Sequence, residues 1–579
     1  MALTATPNSG DCADEVEVSL PRATRGEKWA LAAITATFVS LVAFRAALAP
    51  MFDAPDEPLH FNSAVRLIDG GGWPEAGEAK AADWILAATA EAGMPKDARS
   101  TVGELRDLHP GYSGLDQMTQ HPPVYYAYIA AVLTVFDYED MGVDEAVLVA
   151  RLAGLIFALP LPLAAWDSVR RLTRSSRAGL VAAASLLAVP QLAHIMGSVS
   201  NDSMAVGFSA LVVWLGIRIM TGDTSWITTG GIGLALALVL TSKGTALPLV
   251  AFVAVVVLFW PRLLSLRQRV WRTIAAMALG AIGGAWWLRN LIVFGAIQPN
   301  STLYDTLPWA DGTGPSTLEF SEYAWSRISR SFWGNFGWLA HPMPGAVTDT
   351  LTVVCCAVIV GYAYRRSSAR IPALVLTATV AVLFVALMAR TWSGYARTHL
   401  PAGLQGRYFF VVIIALIALS AIAWRNLVPA AERTRACYLL LTGFALVAIL
   451  GVYIEWRYIY DGFADVLVRS PIGAWGFGFI GLAAAGFGVL TFALTVVHIR
   501  SAKNAMTAAE VVSHPSDEPD PGVSVRVDGN SATARKSTET TSVDAADACV
   551  AADDQAHPNS GTVGLDDAAV ASEGDTRSA

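Results

Sequence analysis

"WALAAITATFVSLVAFRAALAPMFDAPDEPLHF" (residues 29–61) contains both halves of the pattern from which the chain is read. An apolar run over 29–49 stops, and Asp53, Asp56, Glu57 and His60 follow at once. A bilayer core needs about 20 apolar residues per helix, so 29–49 is a membrane span with an acidic cluster at its exit. The apolar half recurs along the chain. Of 579 residues, 54% are hydrophobic and 15% charged, where a soluble protein carries about 25% charged residues. Further runs lie near 146–167, 178–196, 203–220, 226–241, 245–260, 272–294, 346–364, 371–389, 408–424, 436–454 and 472–499. The expected fold class is all-α, a polytopic integral membrane protein of about twelve transmembrane helices.

Charge sets the expected orientation. Four short loops, 170–177, 262–272, 365–370 and 425–435, hold 14 arginines and one acid, Glu432. Arginine-rich loops stay cytoplasmic. Twelve spans with a cytoplasmic N-terminus put all four inside. Counting the run 122–136 as a thirteenth would put them outside, so that segment is read as a helix at the outer surface. Both termini are then cytoplasmic, in a multi-pass protein of the cell membrane. The net charge of −8 gives no nucleic-acid signal, since the basic residues sit in short loops between apolar runs.

The expected outer loops are about 50–145, 295–345 and 390–407. The first carries 17 Asp and Glu against 5 Lys and Arg, and a loop of that length is usually functional or has its own structure. Residues 1–28 and 500–579 read as disordered cytoplasmic tails, the second acidic; the chain beyond 500 has no Phe, Trp or Tyr to bury against its chain entropy. No cleavable signal is expected at the N-terminus. Of five cysteines, Cys12 and Cys549 lie in the tails and Cys355, Cys356 and Cys437 in apolar runs, so no disulfide framework is indicated. No internal repeat is visible.

After the first span, Pro58 suits the opening turn of a helix. Phe61, Ala64, Val65 and Ile68 give it an apolar stripe, and Gly70-Gly71-Gly72 stops it. Asp56 and Glu57 stand at its N-terminus. Capping and the helix dipole account for such carboxylates at about 1 kcal/mol. The chemical alternative is a general base, which needs a carboxylate held near the reacting hydroxyl.

"PDEPLHF" (55–61) resembles the Asp-Glu motif of the first outer loop in the C-type glycosyltransferase superfamily. It is followed in order by "HPPVYY" (121–126), "SND" (200–202), "RN" (289–290) and "QGRYF" (405–409). That ordered set is similar to the bacterial family catalogued as domain of unknown function 2142, over roughly residues 29–430; Asn201 departs from the expected pattern. The resemblance implies a C-type glycosyltransferase-like architecture with a polyprenyl-phosphate sugar as donor. Asp56 would be the catalytic base, supported by Glu57 and His60. Arg289, Lys243 and Arg407 would hold the donor phosphate.

Other outward residues have structural and chemical readings side by side. Arg289 near a helix end either snorkels or faces a cavity. Tyr125 and Tyr126 suit an interfacial aromatic belt, with His121 beside them. Asp202 reads first as a helix cap, then as a site residue. Asn290, Trp333, Trp338 and Tyr408 complete the substrate-loop candidates. Asp56 and Glu57 are candidate oxygen ligands for Mg²⁺ or Mn²⁺. Walker A and Gly-x-Gly-x-x-Gly signatures are absent, so no nucleotide cofactor is expected. The expected function is an inverting membrane glycosyltransferase acting on an envelope glycan, lipid or protein. A transporter or flippase of a lipid-linked precursor and a non-catalytic scaffold are the alternatives.

Overall fold

The computed structural model describes residues 22–299, 307–401 and 403–513. One compact unit covers residues 1–502; of the second, 503–579, only the end of one long helix lies among the described residues. The assignment of residues 1–21 and 514–579 to unstructured tails lies outside the described residues.

The first unit is a helical bundle with a structured layer at one end. Helix α1 (Arg25–Leu48) begins before the expected boundary at residue 29, because Thr24 caps it by accepting from the Glu27 N–H at 3.1 Å. Buried Glu27 then accepts from Trp166 and Arg170, which ties this end into the fold. The layer follows: α2 (Glu57–Ile68), strand β1 (Lys80–Ala82), α3 (Asp83–Glu91), α4 (Val102–Leu108), strand β2 (Tyr112–Leu115) and α5 (Val124–Val135). β1 and β2 pair antiparallel, Lys80 opposite Leu115, with an irregularity at Ala81/Ala82. This layer has its own apolar core of Phe61, Val65, Trp84, Ile129 and Val143. Tyr125 and Tyr126 belong to that core and are fully buried, which corrects the expectation of an interfacial belt. At 12 residues, α5 is too short to span, so it packs against α2 instead.

The bundle continues with α6 (Val143–Ala153), α7 (Pro160–Thr173), α8 (Ser176–Ala184), α9 (Pro190–Met196), α10 (Asn201–Met220), α11 (Trp226–Leu240), α12 (Pro248–Phe259) and α13 (Leu266–Phe294). After the surface helix α14 (Thr317–Trp333) and the hairpin β3 (Asn335–Phe336) and β4 (His341–Pro342) come α15 (Gly345–Tyr362), α16 (Arg370–Thr398), α17 (Ile413–Leu427), α18 (Arg433–Ile459), α19 (Phe463–Arg469) and α20 (Gly473–Ser513). The α16 helix runs on to Thr398, into the segment expected as a loop from 390.

Each of the twelve expected apolar runs is helical. Among the described residues nine helices are long and apolar enough to cross a membrane, and ten if 176–196 counts as one span bent by 71°. The bend falls at Val189–Pro190, where proline cannot continue the preceding helix. The other two expected runs are shorter. The 15-residue α11 is about 22 Å long, against a hydrocarbon core of about 30 Å. It lies close on α13: a Cβ at Gly283 would collide with the Ala237 carbonyl oxygen, the tight approach that small residues permit between membrane helices. Both α12 and α17 lead from the layered end towards an arginine-rich turn, at 262–272 and 425–435.

Candidate active site

The site forms where α1 ends. Asp56 precedes α2 in the left-handed region, φ 65°, and its side chain makes no capping hydrogen bond. Asp, with Asn, is one of the few residues besides glycine that adopt it. Its carboxylate points elsewhere: Arg407 Nη2 donates to Oδ2 at 2.7 Å and Gln117 Nε2 donates to Oδ1 at 3.3 Å. Asp56 keeps 25% of its side chain exposed, whereas Arg407 keeps 2%.

Arg407 is placed by the glycine before it. A Cβ at Gly406 would collide with both the Ile328 carbonyl oxygen and the Phe332 backbone nitrogen, so only glycine lets this turn reach α14. The Gly406 N–H donates to Ser331 Oγ at 2.7 Å. Arg407 also approaches Asp202, Nε to Oδ2 at 3.5 Å, and Lys243 donates to the other Asp202 oxygen at 2.6 Å. Tyr408 lies under both cations, its ring 5.2 Å from Lys243 Nζ and 5.7 Å from the Arg407 guanidinium carbon. Asp202 is therefore not the cap of α10. Ser200 holds that position, its Oγ accepting from the Asp202 N–H at 3.2 Å, because the helix starts at Asn201, two residues earlier than the expected run at 203.

Glu57, next to Asp56, has a different environment. It is fully buried, and Arg151 grips both its oxygens, Nε to Oε1 at 2.8 Å and Nη2 to Oε2 at 2.7 Å. The Val199 N–H adds a third bond at 2.9 Å. Arg151 also donates to the Ala46, Ala49 and Pro50 carbonyls at 2.6–2.8 Å. This two-pronged pair holds the end of α1, the start of α2 and the approach to α10 together. With its oxygens engaged, Glu57 does not join Asp56 as a ligand. The two carboxylates therefore do not form a shared site for a divalent cation.

His60 is buried, its Nδ1 3.0 Å from the Tyr126 hydroxyl and its Nε2 3.5 Å from Ser200 Oγ. Burial above all, with Lys243 and Arg407 adding to it against Asp56 and Asp202, lowers its pKa to about 3, so it is neutral at physiological pH. Burial would raise the Asp56 carboxyl, but the Arg407 guanidinium and Lys243 outweigh it and hold Asp56 below its ordinary value. Asp56 is thus an anion at physiological pH. Asp116 anchors the wall: it accepts from Asn62 at 2.6 Å and Ser63 at 2.8 Å on α2, and from the Met118 N–H at 2.9 Å. That sets the turn Gln117–Gln120, which presents Gln117 to Asp56.

Several sequence candidates lie elsewhere. Arg289 pairs with Glu75, both about two-fifths exposed, and makes no contact with the Asp56 group. Asn290 is buried and donates to the Ile297 carbonyl at 3.3 Å. His121 is buried rather than interfacial, and its backbone carbonyl accepts from Trp73 at 3.1 Å. Trp333 is a core residue donating to Thr352 Oγ1 at 2.8 Å, since it ends the buried side of α14. Trp338 is 52% exposed and donates to the Phe52 carbonyl at 3.0 Å, placing the β3–β4 hairpin beside Asp53. Burial raises the Asp53 carboxyl above its ordinary value.

Buried charged or titratable residues escaped the sequence reading, four of them inside or at the edge of apolar runs. Arg151 is one; Arg45, Glu455 and His194 are the others. Arg45 pairs with Glu455, which also meets His194 Nδ1 at 2.7 Å, and Arg45 lies over the Phe336 ring at 4.9 Å. Their signal was present: an ionisable group inside an apolar run marks a protein-facing position by default.

The chain is similar to ArnT from Cupriavidus metallidurans bound to undecaprenyl phosphate, at 15% identity over 85% of this chain and 80% of that one, TM-score 0.40. The apo state of that protein gives 15% identity over 83% and 80%, TM-score 0.41. The apo oligosaccharyltransferase of Archaeoglobus fulgidus gives 13% identity over 76% of this chain and 56% of that one, TM-score 0.39. No curated protein sequence matches the chain. The profile of the family described as predicted membrane protein, DUF2142, matches residues 38–417. That match covers most of the bundle and every residue of the Asp56 group, and the chain belongs to the DUF2142 family.

Proposed function

We propose that the protein is a membrane glycosyltransferase that moves a sugar from a polyprenyl phosphate to an acceptor hydroxyl on the non-cytoplasmic side of a cell membrane. One observation carries this reading: Asp56, free of capping at the start of α2, lies against Arg407 and a short ionic chain from Lys243. The acceptor oxygen attacks the anomeric carbon as the bond from that carbon to the phosphate oxygen breaks. The electron pair leaves with the phosphate, and Asp56 takes the hydroxyl proton. A single displacement of this kind inverts the anomeric centre.

Lys243 and Arg407 would stabilise the leaving phosphate, each exchanging part of its present contact with Asp202 or Asp56 for phosphate oxygens. Fixed charges aimed at developing negative charge supply the largest share of rate in such sites. His60, neutral, would act as a positioning residue through Tyr126 and Ser200. Glu57 would hold the scaffold. The acceptor class, glycan, lipid or protein, follows the motif resemblance and is common to all three.

The test uses the intact membrane protein. A strain carrying only Asp56→Asn should accumulate the polyprenyl-phosphate sugar while the variant protein folds and reaches the membrane at the normal level. Unchanged donor levels and unchanged transfer would overturn the assignment. A second reading, a flippase for a lipid-linked precursor, draws on the Arg45–Glu455–His194 group buried between helices. It requires instead that the precursor be trapped in the inner leaflet.

A further inference from the structure

The Arg289–Glu75 pair, set apart from the Asp56 group, walls a cleft of about 140 Å³. We infer that this cleft binds one uncharged sugar ring, and, resting on the glycosyltransferase reading, that it is the subsite for a carbohydrate acceptor. An enclosed apolar cavity of about 150 Å³ takes up one benzene; this cleft, of similar volume but open on one side, can seat one face of the larger sugar ring. The lining includes two indoles, Trp73 and Trp286, and the polar side chains of Glu75, Gln120, Arg289 and Asn290.

Both indoles are pinned. Trp73 Nε1 donates to the His121 carbonyl at 3.1 Å and Trp286 Nε1 to the Gln120 carbonyl at 3.3 Å. Their N–H groups being engaged, they offer the ligand ring surface rather than donors. The negative face of an aromatic ring attracts partly positive C–H groups, and one face of a pyranose is a patch of such groups. Arg289 and Glu75 cancel in charge yet retain donors and acceptors at the rim. That favours hydroxyls over phosphate and departs from the phosphate role expected of Arg289. A site whose side chains are already fixed loses little freedom on binding.

Its place relative to Asp56 gives it the acceptor role. The turn Gln117–Gln120 has Gln117 on Asp56 Oδ1 at one end and Gln120 in the cleft at the other. Three steps of such a turn span about 6 Å. A second link runs from Trp73 to Tyr126, ring centres 4.9 Å apart, and from the Tyr126 hydroxyl to His60. A ring in the cleft would have its neighbouring residue, or its own hydroxyl, close to the base.

The experiment is saturation-transfer NMR on the full chain in nanodiscs free of glycoside detergent. The probes are methyl pyranosides of gluco, manno and galacto configuration, with inorganic phosphate as the charged probe. At least one pyranoside should give a saturable signal that Trp286→Leu weakens tenfold or more. If that variant does not fold, the paired Glu75→Ala and Arg289→Ala changes at the exposed rim should abolish the signal. No saturable pyranoside signal, a signal the variants leave unchanged, or phosphate binding lost with Arg289 would overturn the inference. The outcomes separate from those of the proposed function. Saccharide binding that survives while Asp56→Asn retains transfer removes the catalytic reading alone. Lost transfer in Asp56→Asn without saccharide binding removes the cleft alone.

Discussion

Arg407 Nη2 lies 2.7 Å from Asp56 Oδ2 although 351 residues separate them in the chain. One comes from the segment after α1, the other from the turn that opens α17. Their contact joins two sequence motifs into one electrostatic unit. Arg407→Gln should therefore lower transfer by about 10²–10³-fold, the range seen when one stabilising donor is removed from a charged transition state. With the guanidinium gone, burial is opposed mainly by the more distant Lys243, and the Asp56 pKa rises. The acid limb of the pH–rate profile should move to higher pH than in the wild type. A profile of kcat/KM against pH for both proteins reads this directly.

Asp56 and Glu57 should separate in stability. Removing one partner of a buried ion pair costs about 3–5 kcal/mol, because the other charge stays buried and unpaired. Glu57→Gln leaves Arg151 in that state and should lower the unfolding temperature sharply, whereas Asp56→Asn should lower it less, because Asp56 is partly exposed and Asp202 still stands beside Arg407. Thermal melts of the detergent-solubilised variants test the split. Arg151→Met combined with Glu57→Gln should recover part of the loss.

Gly406→Ala should damage both fold and activity. Its Cβ would collide with backbone atoms of α14, which cannot yield as a flexible side chain would. Overpacking of this kind costs about 1–3 kcal/mol, and any shift of the turn carries Arg407 away from Asp56. A loss of transfer larger than the loss of folded protein is the expected pattern.

Stability should fall on mild acidification, in part through His60. Its folded pKa of about 3 is below the ordinary value of about 6.5, so the unfolded chain binds a proton that the folded one refuses. The contribution is intact above the ordinary value and erodes as pH falls towards the folded one, by up to about 1.4 kcal/mol per unit. His60→Gln should flatten the dependence of unfolding free energy on pH between those limits. Denaturant titrations across that window, compared with wild type, measure the change.

Local pattern carried a good deal of this molecule. The apolar runs, the amphipathic α2 with Pro58 in its first turn and its stop at Gly70–Gly72, and the structured first loop follow from composition and period, because lipid and backbone geometry constrain neighbours in sequence. Asp56, His60, Lys243, Asp202, Arg407 and Tyr408 were legible as chemical groups. Their roles were less so. Glu57 looked like the partner of Asp56 because it adjoins it, yet one helical step turns it onto Arg151. Arg289 looked like a phosphate ligand because it is an arginine near a helix end, yet Glu75 neutralises it.

What sequence by itself determined was a membrane-embedded helical chain with an acidic group where its first long helix ends, since bilayer burial acts on every residue of a run regardless of distant partners. What only the tertiary structure decided was which charge meets which. Ion pairs such as Arg151–Glu57, Arg407–Asp56 and Arg45–Glu455 join positions 94, 351 and 410 residues apart. Coulombic and hydrogen-bond geometry depends on separation in space, and no period along the chain encodes that.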